Sequence, residues 1–216
     1  MKNYKRREAI RLASACTGLV FFTGCKPEGN SKENKPETGS GYRVEETETD
    51  LNDAMSREKI MSLLDQRVSS IMQRSHHCAQ TSFLSLKEQF NLEDGGITKA
   101  LTPLPGLGEK GGTCGAVTGC LMCLGLIFGR DRLDDWETYR KSLVPAAEFT
   151  ERFKEIRGSL NCGDIVETEF GKRYDLLDPD DHKEYVRQGA TEKCTKVVLS
   201  GVRIAADIIL RDKYKK

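Results

Sequence analysis

Between residues 60 and 209 the bulky apolar residues recur every three or four positions, and no run alternates convincingly at every second one. Ile60, Leu64, Val68, Ile71 and Met72 form one stripe, and Ala79, Phe83, Leu86 and Phe90 form the next. Phe149, Phe153 and Ile156 make a third, with Pro145 marking a boundary before it. Val198, Val202, Ala205 and Ile209 make the last. This spacing gathers side chains on one face of an α-helix, whereas a half-buried strand requires alternation. The expectation is an all-α domain of about five to seven helices. "LTPLPGLGEKGG" (101–112) and "LLDPDDHK" (176–183) read as loops.

The bundle does not need all 216 residues. The chain opens with "MKNYKRREAIRLASACTGLVFFTGC", a basic start followed by an apolar run over 12–24. That run falls short of the ~20 apolar residues that span a bilayer, so 1–24 reads as a signal peptide. Arg6 and Arg7 resemble a twin-arginine export pair, and "FTGC" resembles a bacterial lipobox that would make Cys25 a lipidation site. Residues 25–50 have almost no bulky apolar side chains and read as a disordered tether, leaving 51–216 to fold. The expectation is an exported protein, periplasmic or held at a membrane by lipid on Cys25. Setting aside the five basic residues and one acidic residue of 1–25, 29 basic residues face 32 acidic ones, a net charge of −3. That balance offers no electrostatic footprint for nucleic acid.

Eight cysteines are many for this length, and six remain once Cys16 and Cys25 are assigned to the signal and the lipid. Four of the six follow residues that favour helix N-caps: Ser75 before Cys78, Thr113 before Cys114, Asn161 before Cys162 and Thr191 before Cys194. A thiol in the first turn of a helix meets free N–H groups and the positive helix end, so it ionises more readily. These four are the candidate redox-active residues and metal ligands. Cys120 and Cys123 differ. Their spacing puts them on one face of an apolar helix, no histidine follows for haem attachment, and they read as small core residues. Gly112, Gly115 and Gly119 are candidates for close approach to a cofactor; for Gly115 and Gly119, four apart on one face, packing against another helix is the plainer role. His76 and His77 adjoin Cys78, but neighbouring helix positions point about 100° apart, so they read as solvated rather than as ligands. His182 reads as an exposed residue of the acidic loop. The sequence contains no Ser-His-Asp signature and no P-loop.

With these residues in hand, most of 75–210 resembles the C-GCAxxG-C-C proteins, a family named for its cysteine pattern and regarded as redox-active. "HCAQTSFLSLKEQFNL" resembles the first cysteine helix, "GGTCGAVTGCLMCLGLIFG" the glycine-rich second, "FKEIRGSLNCGDIV" the third and "KCTKVVLSGVRIAADIIL" the last. The resemblance carries over Cys78, Cys114, Cys162 and Cys194. The middle motif here is the variant "GTCGAVTG", and no family role passes to Cys120 or Cys123. The domain is also similar to part of the split-Soret cytochromes, which combine it with haem and an iron–sulfur centre. This chain has no C-x-x-C-H, so covalent haem is not implied.

Three readings follow. Four thiolates suit a small iron–sulfur cluster passing single electrons to a redox partner protein. Low-pKa thiols also suit reversible disulfide exchange. The third is a non-redox binding lipoprotein with structural disulfides or zinc. Whether the protein is an enzyme or a carrier is left open by all three.

Overall fold

A computed structural model describes the backbone of residues 55–213 and the side chains of 55–211. The signal-like segment 1–24, Cys25 and the tether 25–50 lie outside the described residues. Within them the chain is helical, with no strand beyond a single antiparallel bridge between Thr113 and Asn161. Seven helices run nine residues or more: α1 (Arg57–Ser75), α2 (Cys78–Phe90), α5 (Gly115–Phe128), α6 (Trp136–Arg157), α7 (Cys162–Phe170), α8 (Pro179–Arg187) and α9 (Ala190–Lys213). Two single turns, α3 (Ile97–Ala100) and α4 (Gly106–Glu109), sit between α2 and α5. None of the described helices is long and apolar enough to cross a membrane.

The apolar stripes decide the packing. α5 is the most apolar of these helices and lies at the centre, against α2, α6 and α9. A helix apolar on most faces is stable only when enclosed. α1 closes the bundle over α2 and α9. Ile60, Leu64, Val68, Phe83, Leu86, Phe149, Phe153, Val198, Val202 and Ile209 are all buried. Gly119 and Gly115 let α5 approach α2 closely. A Cβ on Gly119 would lie 2.9 Å from Ser82 Cβ and overlap the Ala79 carbonyl. Ion pairs fasten the outer faces, among them Arg152 to Asp207 at 2.8 Å between α6 and α9 and Arg203 to Asp65 between α9 and α1. Arg203 is exposed, and a pair open to solvent in this way contributes little by itself.

Three expectations change. Pro145 stands inside α6 rather than before a helix. It forgoes one helical hydrogen bond, but it shares a buried face with Phe149 and Phe153, four and eight residues on. Ile156 falls off that stripe and is exposed. "LLDPDDHK" is only half a loop: Pro179 opens α8, with the Asp178 side chain accepting from the N–H groups of Asp180 and Asp181 at 3.0 Å. Proline at the first helical position gives up nothing, since that N–H has no helical partner. His182 is exposed as expected, but on α8.

Candidate functional site

Two loops carry cysteines to the same end of the bundle, and they are hydrogen-bonded to each other. The Cys114 N–H donates to the Leu160 carbonyl at 2.8 Å, the Cys162 N–H to the Gly112 carbonyl at 2.7 Å, and the Gly163 N–H to the Gly111 carbonyl at 3.0 Å. This short ladder sets the start of α7 beside the start of α5. Gly111 makes it possible: its φ is +78°, and Gly163 packs 3.5 Å from where a Cβ would stand. The start of α2 meets the same point, because Gly115 faces Cys78 with no room for a side chain between them.

Cys78, Cys114, Cys162 and Cys194 thus line one cavity of about 90 Å³, with Tyr185, His76, His77 and Glu109 also on its wall. All four are free thiols; Cys114 is buried and the other three half-buried. The volume is about that of three waters and well under the roughly 300–1,000 Å³ of sites for organic ligands. A larger groove of about 630 Å³ runs between α1, α6 and α9, but it contains no cysteine, and Arg57, Arg152, Arg157 and Arg203 on its wall are ion-paired.

The caps differ from those the sequence suggests. Ser75 ends α1, and His77 caps α2: its Nδ1 accepts from the Gln80 N–H at 3.1 Å, so its Nε2 donates to the Thr102 carbonyl at 3.0 Å. Both ring nitrogens are thereby engaged. His76 ends α1 in the left-handed conformation, with Nδ1 2.8 Å from Thr191 Oγ1. Cys114 is itself the N-cap of α5 rather than following a Thr113 cap. Asn161 does precede α7, with Cys162 as its first residue. Cys194 breaks the pattern. α9 begins at Ala190, so Thr191 lies within it and Cys194 is in the second turn. Its partner is a side chain instead: the Tyr185 hydroxyl, 2.9 Å from Cys194 Sγ.

Electrostatics separate the four thiols. The Cys78 thiol donates to Cys114, and this bond, the N–H groups of Ala116 and Val117, and the charge of Arg157 hold Cys114 below the usual thiol range despite its burial. Cys78 is pushed up by that bond, by burial and by the neighbouring sulfurs. Burial, then repulsion from Cys114 and Cys194, pushes Cys162 up to about 12. Burial pushes Cys194 up to about 11 even with the Tyr185 hydrogen bond acting the other way. In the metal-free site Cys114 is therefore the first of the four thiols to ionise, ahead of Cys78, Cys162 and Cys194. Further ionisation would bring like charges together in a poorly hydrated pocket.

The profile of the family described as "Putative redox-active protein (C_GCAxxG_C_C)" matches residues 76–208. The chain belongs to this family. The matched region includes all four cysteines and every residue of the cavity wall except Met72. No curated protein and no solved structure is significantly similar to the chain.

Gly112, Gly115 and Gly119 do not line the cavity. Gly115 and Gly119 are occupied by α2, and a Cβ on Gly112 would meet Leu107 at 3.1 Å. Cys120 and Cys123 are core residues: Cys123 donates weakly to the Phe83 carbonyl at 3.5 Å, and Cys120 faces Gly201 of α9, where a Cβ would stand 3.3 Å from its sulfur. Tyr185 is a site residue that the sequence pattern does not reveal. The signal for it is faint, one aromatic residue in the charged stretch "PDDHKEYVR".

Proposed function

We propose that the four cysteines hold a small iron–sulfur cluster and that this member of a redox-active family passes single electrons to a partner protein. The observation that carries the reading is the convergence of four thiols, from four helices, on one small cavity. Four soft sulfur donors are the ligand set such clusters use, and a bound cluster supplies one-electron chemistry. The chain supplies what a cluster needs. Cys78 is pushed up by its hydrogen bond to Cys114 and by burial, and Cys162 by burial and then by repulsion from the neighbouring sulfurs; cationic iron offsets the burial and the repulsion. The N–H groups of Ala116 and Val117 face the Cys114 sulfur, and donors of this kind raise a cluster's potential. Among the described residues no three His, Cys, Asp or Glu side chains are set to hold a single metal ion. That weakens the closed zinc site, which needs its four donors around one point. The support for a cluster is thus the donor set, not a preformed ion cage.

The hydrogen bond between Cys78 and Cys114 favours a second reading, reversible disulfide exchange. A thiol that ionises more readily beside one that holds its proton is the starting arrangement for that chemistry.

Anaerobic purification with iron, sulfide, zinc and thiol analysis separates the readings. Iron with acid-labile sulfide and a visible charge-transfer band supports the cluster. A colourless protein that exposes new thiols only after reduction supports the disulfide. One zinc per chain with no electrons transferred supports a structural site. We further propose export, with lipid on Cys25 anchoring the domain through residues 25–50. Mass spectrometry of the mature N-terminus tests this: an unmodified Cys25 would refute the lipid anchor, and an uncleaved N-terminus would refute export through the signal.

A further inference from the structure

Cys78 and Cys162 open α2 and α7, and Cys114 caps α5, but Cys194 lies in the second turn of α9, where backbone N–H groups serve the helix itself. At that position the fold supplies a phenol. Tyr185 contributes the only hydroxyl on the wall of the cavity, 2.9 Å from Cys194 Sγ.

The phenol is held there by several contacts. Its ring packs on Phe170 with centroids 4.9 Å apart and on Tyr174 at 5.4 Å. Lys193 stacks its ammonium 4.0 Å from the centre of the Phe170 ring and donates to the Glu169 carbonyl at 2.8 Å, joining α9 to the end of α7. The capping of α8 by Asp178 fixes where that helix begins, and Lys172 ties it down through Glu184 at 2.7 Å. α8 buries no residue fully. Its evident contribution to this end of the domain is to present Tyr185.

We infer that Tyr185 is a positioning residue for the redox centre: its hydroxyl donates a hydrogen bond to the Cys194 sulfur and stabilises the centre's more negative, reduced state. Once that sulfur is deprotonated or bound to metal it can only accept, so the phenol must be the donor. No proton leaves the tyrosine. The hydrogen bond does for Cys194 what the N–H groups of Ala116 and Val117 do for Cys114, and donors to sulfur raise the potential of the centre they serve.

The inference rests on the four cysteines forming one redox centre, and the test separates the two claims. Iron and labile sulfide are first measured in wild type and in Y185F, together with helical circular dichroism. At equal loading, the midpoint potential of Y185F should shift negative. Y174F, which removes a hydroxyl from the same aromatic cluster without touching sulfur, should leave the potential at the wild-type value. Replacing Tyr185 with 3-fluorotyrosine, a stronger donor of nearly the same size, should shift it positive; this arm stands alone if Y185F does not fold. If wild type carries neither iron nor sulfide, the cluster reading fails. The same variants are then equilibrated with glutathione buffers, and the same signs are expected for the thiol couple. Unchanged potentials in both Tyr185 variants, or an equal shift in Y174F, overturn the role of Tyr185.

Discussion

The tip and the middle of α5 carry the same residue type in opposite circumstances. At the tip, Cys114 meets the N–H groups of Ala116 and Val117 and the thiol of Cys78, and it ionises below the usual range. Two turns further in, Cys120 and Cys123 are also buried, but every backbone N–H around them is committed to the helix, and burial pushes both thiols up. Burial alone therefore does not separate the two outcomes. What separates them is whether the helix still has donors to offer and whether another thiol lies within reach.

The largest effect should come from crossing that line. C114S should reduce bound iron and sulfide to background, while the double variant C120A/C123A should retain wild-type loading. Loss of the centre in the double variant would mean that the middle of α5 belongs to the site. Next comes the glycine face. G119A forces a methyl group into Ala79 and Ser82 and should cost about 1–3 kcal/mol by overpacking, read as a lowered thermal midpoint. G125A, on the same helix with nothing within 4 Å of the added carbon, should stabilise by about 0.5–1 kcal/mol. If both behave alike, α5 does not approach α2 in the way described. In the core, C120A and C123A should each cost about 1 kcal/mol for one buried heavy atom and the void it leaves, visible in urea unfolding.

The smallest effect is a titration of the metal-free, reduced protein. Ultraviolet thiolate absorbance should show one group ionising ahead of the other thiols, because hydrogen bonds favour the charged form of Cys114. Cys194 and Cys162 should follow only near 11 and 12. C114S should remove the early step and C162S should leave it. An early step that survives C114S would assign the thiolate to another sulfur.

The helices are readable from the sequence because their apolar stripes follow the 3.6-residue period, and Cys78, Cys114 and Cys162 because each stands at the start of a helix. Cys114, Asn161 and Cys162 came out nearly in place. Position along the last helix was harder: Thr191 looks like a cap, but Gly189, at φ +80°, turns the chain early and α9 starts at Ala190. α8 looks like part of a loop in the sequence because its proline and aspartates signal a turn and a helix start equally well. The ladder between 111–114 and 160–163 and the bond from Tyr185 to Cys194 arise from tertiary placement. No local pattern encodes them.

Iron K-edge X-ray absorption on the anaerobically purified protein tests the central claim most directly. Four cysteine ligands around a cluster predict iron surrounded by sulfur alone, with oxygen entering the ligand shell in a C194S variant that still retains metal. An iron-free protein, or wild-type iron bound by oxygen and nitrogen, would contradict the account.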